Sequence, residues 1–126
     1  MRKLFLVTIG SGLGGGARYL ISTWIARALG SVFPYGTVAI NTLGSFLISA
    51  IMYLAVAKNA IGEDVRLALT TGVLGGFTTY SAFNYETISM VERGDPMLAA
   101  LNVAAMVIVC LLAGALGMGL ARAVVG

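Results

Sequence analysis

The residues best suited to chemistry lie in one stretch, residues 70–83, which combines hydroxyl groups, a glycine pair and, at its end, two aromatic residues three positions apart. Amide and hydroxyl side chains can donate hydrogen bonds to an anion, and the edge of an aromatic ring is electropositive. Tyr80 and Phe83, three residues apart, could therefore present ring edges to a small anion. Their spacing alone favours ordinary packing between helices, so both interpretations stay open at this point.

Groups that could catalyse a reaction are few. The chain has no His, and its one Cys, Cys110, has no recognisable base in a motif with it. Every acid falls in a loop or near the end of an apolar segment: Glu63, Asp64, Glu86, Glu92 and Asp95. Glu86 is the acid nearest a segment's interior, either as an ion or proton ligand or as a solvated interfacial carboxylate. We predict that the protein is not an enzyme and has no side-chain metal site.

The composition predicts an integral membrane protein. Of the 126 residues, 59% are apolar and only 10% are charged, whereas a soluble domain averages about 25% charged residues. Four apolar segments, roughly residues 4–29, 36–57, 67–91 and 97–125, each exceed the ~20 residues that cross a bilayer core. We predict one all-α domain over residues 1–126 with four transmembrane helices. The net charge of +3 gives no reason to expect a nucleic-acid partner.

The third segment is expected to break near its middle, at Gly75-Gly76. An unsatisfied backbone group in hydrocarbon costs several kcal/mol, so irregular backbone survives there only inside protein or beside water. Carbonyls freed at such a break can coordinate a cation. We predict that the segment is a broken membrane helix that lines an ion site.

Polar residues in the first two segments are further candidates. Asn41, Ser45 and Ser49 share one helical stripe, which either lines a pore or bonds helix to helix at about 0.6 kcal/mol per bond. Arg18 lies well inside the first segment, where an ionisable residue is a functional hypothesis by default. It could instead extend its charge to a membrane interface.

Glycines and basic residues predict packing and orientation. Gly10 with Gly14, and Gly12 with Gly16, form small-residue pairs that let another helix approach closely.

With four spans, one side of the membrane carries five basic residues: Arg2, Lys3, Lys58, Arg66 and Arg122. The other side carries Arg27 and Arg93. The positive-inside rule then favours termini in the cytoplasm.

Three motifs occur in order along the first three segments: residues 15–19 (GGARY), 36–46 (GTVAINTLGSF) and 75–83 (GGFTTYSAF). Together with the four-span layout they resemble, over essentially the full length, the small fluoride channels of the Fluc or CrcB family. The resemblance implies an antiparallel, dual-topology dimer with two fluoride pathways at the subunit interface. It also implies passive export of fluoride across the cytoplasmic (inner) membrane.

The resemblance assigns roles to eight positions. It implies a fluoride pathway, a vestibule and a structural sodium ion held by main-chain carbonyls. The pathway residues are Asn41, Tyr80, Ser81 and Phe83, the vestibule residues are Arg18 and Glu86, and the sodium carbonyls are those of Gly75 and Thr78.

Four positions depart from the family pattern. Tyr80 stands where the family usually has Phe, and Ala82 stands where it has a hydroxyl residue. Cys110 and Gly114 replace hydroxyl residues on the last helix. Because some family members pair two different, oppositely inserted subunits, the partner could be a second copy of this chain or a second family member.

Two other functions compete with a channel. A small multidrug-type antiporter also has four spans, but it needs a membrane-embedded carboxylate, and the first segment contains none. A non-transporting membrane subunit, packed through its glycines, would pass no fluoride.

Overall fold

The computed structural model describes all 126 residues and contains helices and no strand, so the predicted all-α class is confirmed. Six α-helices follow one another: α1 (Arg2–Leu29), α2 (Tyr35–Met52), α3 (Glu63–Leu67), α4 (Gly75–Phe77), α5 (Tyr80–Glu92) and α6 (Pro96–Val125). A π-helical segment, Tyr53–Ala57, extends α2, and a second one, Ala68–Leu74, joins α3 to α4.

Three helices are long and apolar enough to cross a membrane: α1, α2 with its π-helical extension, and α6. The third predicted segment is divided between α4 and α5. Only 16 of the 126 residues are buried, and most large apolar side chains face outward. An apolar exterior of this extent is that of a protein surrounded by lipid or by partner surfaces.

The helix ends follow local sequence signals. Gly30 after α1 and Gly94 after α5 have positive φ angles of 81° and 83°, a conformation that glycine adopts without a steric penalty. The next helix begins where Asp95 Oδ1 accepts a hydrogen bond from the Leu98 N–H at 3.0 Å. Pro96 occupies the first turn of α6, where its missing N–H is not needed.

Glycines permit the closest helix contacts. A Cβ on Gly14 would overlap the Val73 carbonyl oxygen, and one on Gly76 would overlap the backbone of Ser11. Gly10 is similarly tight against the π-helical segment, so the predicted close approach at Gly10 and Gly14 is confirmed. A Cβ on Gly12 or Gly16 would meet nothing within 4 Å, and both residues are exposed, so that pair faces outward.

Both termini and the second loop lie at one end of the molecule. Arg2 forms an ion pair with Asp64, and Lys3 forms one with Glu63. Lys58 Nζ donates a hydrogen bond to the carbonyl of Gly126 at 3.2 Å. These contacts agree with a chain that crosses the molecule an even number of times.

The break in the third segment is real, but its predicted position at Gly75-Gly76 is wrong. Both glycines lie inside α4, and the irregular residues are Thr78 and Thr79. Their ψ angles of 158° and 115° are extended, and β-branched side chains favour such backbone. Gly76 stays helical while it packs against α1, where a Cβ would overlap the backbone of Ser11.

Candidate ion site at the broken helix

The broken helix is held by a side chain from α2. Asn41 Oδ1 accepts a hydrogen bond from the Thr79 N–H at 2.8 Å. Asn41 Nδ2 donates to the Thr79 carbonyl at 2.9 Å. One amide side chain thus satisfies both backbone groups of a residue that has left the helical ladder, and an unpaired buried backbone group would cost about 1–3 kcal/mol.

Carbonyl groups are freed on the amino-terminal side of the break. In an uninterrupted helix the Thr79 N–H would bond to the carbonyl of Gly75, but here it bonds to Asn41. The Gly75 carbonyl therefore lacks its helical partner. The Thr78 carbonyl accepts a long hydrogen bond from Arg18 Nη1, at 3.4 Å. The carbonyls of Gly75 and Thr78 are thus two of the main-chain oxygens that stand outside the helical ladder where α4 ends.

Helix α5 starts immediately after the break and carries the aromatic pair. Thr79 Oγ1 caps it by accepting a hydrogen bond from the Ala82 N–H at 3.2 Å. The rings of Tyr80 and Phe83 meet edge to face, with centroids 5.6 Å apart and planes at 68°. The Tyr80 ring is 76% exposed, whereas Phe83 is only 9% exposed. Phe83 therefore sits at the inner end of the pair and Tyr80 at its outer surface.

An open groove of about 420 Å³ brings most of these residues together. Of the predicted pathway and sodium residues it is lined by Asn41, Gly75, Thr78, Tyr80 and Phe83. Ser81 does not line it, and the Ser81 hydroxyl is exposed, 3.4 Å from Thr79 Oγ1. The opposite wall comes from α6 and carries Met106 and Cys110. The groove is mostly apolar, and its polar lining includes Asn41, Thr78 and Thr79 at the break.

The two predicted vestibule residues are separated. Glu86 lines an outer cavity of about 650 Å³, together with Thr37, Glu92 and Arg93. Glu86 Oε1 accepts a hydrogen bond from Thr37 Oγ1 at 2.7 Å, while Oε2 is buried without a partner. Arg18 does not line this cavity, because its guanidinium reaches the break instead.

Sequence reasoning missed the importance of Asn102. This residue is fully buried, and its side chain bonds to Thr87 at 2.9 Å. The signal lies in the register of α2 against α6. Asn41 contacts Met106 at 3.4 Å, so Thr37 and Asn102, one turn earlier on each helix, occupy one layer.

The chemistry available here is ion handling. No group of three His, Cys, Asp or Glu side chains comes together anywhere in the structure. The groove instead offers aromatic ring edges, which suit an anion. The carbonyls at the break suit a hard cation. Both sets lie on one surface.

Comparison with known proteins gives a consistent result. The family model described as "CrcB-like protein, Camphor Resistance (CrcB)" matches residues 5–118. A protein of Anaeromyxobacter sp. (strain K) named "Fluoride-specific ion channel FluC" is 50% identical over 113 residues, 90% of each chain. One of Sorangium cellulosum with the same name is 47% identical over 122 residues, 97% of this chain and 96% of the relative. A third, from Geobacter metallireducens, is 42% identical over 97% of this chain and 98% of the relative.

Proposed function

Since the chain belongs to the CrcB-like family, we propose that it is a subunit of a fluoride-specific ion channel that lets fluoride leave the cell passively. The observation that carries the proposal is identity of 47% and 50% to relatives named as fluoride channels, over 97% and 90% of the chain. A channel is not an enzyme, which agrees with the absence of a catalytic motif. The membrane we propose is the cytoplasmic (inner) membrane, crossed four times.

The proposed fluoride pathway follows the groove beside the break. Phe83 and Tyr80 supply the electropositive ring edges, and a water-poor passage strengthens their weak attraction for an anion because the local dielectric constant is low. Asn41 fixes the start of α5 and thereby sets where both rings stand. Ser81, whose hydroxyl is exposed 3.4 Å from Thr79 Oγ1, does not line the groove and would contact the ion only outside it.

A partner subunit is needed to close the pathway. The groove is open along one side, and Tyr80 stands 76% exposed at its rim. An antiparallel, dual-topology dimer, as the resemblance implies, would cover this rim with protein and exclude lipid. The partner is a second copy of this chain or a second, oppositely inserted family member.

A structural sodium ion fits the break. Main-chain oxygens are ligands that hard cations prefer, and the carbonyls of Gly75 and Thr78 both lie outside the helical ladder. A carbonyl oxygen has two lone pairs, so the Thr78 carbonyl can accept from Arg18 and still face an ion. The bound ion would supply positive charge that stabilises freed carbonyls from both subunits where they meet.

A multidrug-type antiporter has no support at this site. Proton coupling needs an embedded carboxylate, and α1 contains no acidic residue. The only acid inside the third segment, Glu86, lies in the outer cavity and not in the groove. A non-transporting subunit is distinguished from a channel by measuring whether the protein moves fluoride across a membrane.

Reconstitution tests the proposal. Purified protein in liposomes loaded with potassium fluoride should release fluoride, followed with a fluoride electrode, when valinomycin balances the charge. Liposomes loaded with chloride should retain it, and protein-free liposomes should retain both ions. If liposomes that contain the folded protein retain fluoride, the chain alone does not form a fluoride channel.

Co-expression separates the two kinds of partner. If the chain pairs with itself, the single protein releases fluoride and cross-links as a dimer. If it needs a different family member, release appears only when both are reconstituted together. Robust efflux from this chain alone removes the heterodimer.

A further inference from the structure

A relay of side-chain hydrogen bonds connects α6 to the turn that carries Phe83. Asn102 Nδ2 donates to Thr87 Oγ1 at 2.9 Å. Thr87 Oγ1 in turn donates to the Phe83 carbonyl at 2.7 Å. A threonine that bonds back to the carbonyl four residues earlier is common in helices. This common bond within one helix does not require a second bond to a neighbouring helix. Here the second bond, from Asn102, connects α6 to α5.

The Asn102 side chain does not maximise the stability of the folded protein. Its side chain is fully buried, and its Oδ1 has no hydrogen-bond partner. A buried acceptor without a donor is destabilising, whereas an apolar residue of similar shape at such a position can be neutral or stabilising. The residue therefore makes one useful bond, to Thr87, at the expense of one unsatisfied atom.

From these contacts we propose that Asn102 is a positioning residue for the aromatic site, acting through Thr87 to fix the Phe83 turn against α6. This inference rests on the proposed function, because it assigns Phe83 to the fluoride pathway. Without the relay, the remaining side-chain hydrogen bonds from neighbouring helices to this part of the chain are those of Asn41 with Thr79 and of Thr37 with Glu86, and neither holds the Phe83 carbonyl. The Phe83 ring edge then loses its fixed distance from the ion.

The test compares four single variants in thermal unfolding and in fluoride efflux from liposomes. Asn102→Leu removes both the bond and the unsatisfied atom, so it should unfold at the same or a higher temperature. Its fluoride efflux should nevertheless be about tenfold slower, since small misplacements of a positioned group have large effects on rate. Thr87→Val should be similarly slow, and Thr87→Ser, which keeps the hydroxyl, should match the wild type. Val103→Leu, on the neighbouring exposed position of α6, is the matched control and should change neither quantity.

The double variant Asn102→Leu/Thr87→Val should be no slower than the slower single variant, because both changes break one relay. A purely structural role predicts instead that transport and unfolding temperature fall together, and that result would overturn the inference.

If Asn102→Leu does not fold, the comparison of Thr87→Val with Thr87→Ser decides alone. A wild type that moves no fluoride, either alone or reconstituted with a second family member, overturns the proposed function and this inference with it. A wild type that moves fluoride no faster than Asn102→Leu and Thr87→Val overturns this inference only.

Discussion

The amide of Asn41 and the backbone of Thr79 pair as two residues of a sheet would, although one of them is a side chain. The N–H of Thr79 donates to Oδ1 at 2.8 Å, and Nδ2 donates to the Thr79 carbonyl at 2.9 Å. The two residues are 38 positions apart in sequence. This pairing satisfies both backbone groups of Thr79 at the point where the third segment leaves the helix.

Loss of this pairing should destabilise the protein. We expect Asn41→Leu to lower the free energy of unfolding by about 2 kcal/mol or more, because two backbone groups lose partners worth about 1–3 kcal/mol each. Denaturant unfolding in detergent measures the change. Thr42→Val, one residue further along α2, is the control and should have a small effect. Equal stability of both variants would contradict the role given to Asn41.

The glycine contacts predict a sharp contrast between neighbouring positions. Gly14→Ala should destabilise the subunit by about 1–3 kcal/mol through overpacking, because its Cβ would overlap the Val73 carbonyl. Gly12→Ala has open space and should leave the subunit unchanged or stabilise it by about 0.5–1 kcal/mol. Thermal unfolding of the two variants compares them directly. If Gly14→Ala and Gly12→Ala destabilise the protein equally, the expected contrast is contradicted, because nothing in the subunit contacts a Cβ at Gly12.

Local signals predicted the helical class and the apolar segments, including a last segment over about residues 97–125, which the structure forms as α6 (Pro96–Val125). The position of the break could not be predicted in the same way. Gly75 and Gly76 have low helix propensity, but both lie in α4, where Gly76 packs directly against Ser11 of α1. Thr79 leaves the helix because Asn41, distant in sequence, satisfies its backbone. The relay through Asn102 could not be predicted from the sequence either, because it depends on how α5 and α6 align in the folded protein.

Sodium should stabilise the protein. If the carbonyls of Gly75 and Thr78 hold the ion, replacing N-methylglucamine with Na⁺ should raise the Tm. The gain approaches about 2.7 kcal/mol when the ion is at about 100 times its Kd. Arg18→Gln should enlarge this response, because it removes a positive charge beside the Thr78 carbonyl. The same Tm in both cations for the wild type would exclude a structural sodium ion.

The ion pairs at the termini predict a pH effect outside the membrane. The hydrogen bond from Lys3, and then the charge of Lys3, lower the pKa of Glu63 below its ordinary value of 4.5. An acid with a depressed pKa stabilises the folded state above its unfolded pKa, and this contribution is lost as the pH falls through the folded value. Glu63→Gln should therefore lower the Tm slightly at neutral pH, and the difference should vanish as the pH falls below 4.5. A difference that persists in strong acid, or that high salt leaves unchanged, would contradict the ion pair.

The account depends most on Phe83 and Asn41 forming an anion-selective path. Fluoride and chloride efflux from liposomes should be compared for the wild type, Phe83→Ile and Asn41→Asp. Phe83→Ile removes the ring edge, and Asn41→Asp replaces the donor to the Thr79 carbonyl with a second acceptor. The account predicts rapid fluoride efflux without chloride for the wild type and a loss of at least about tenfold for each variant. Equal fluoride efflux from all three proteins, with chloride following it, would contradict the assigned site.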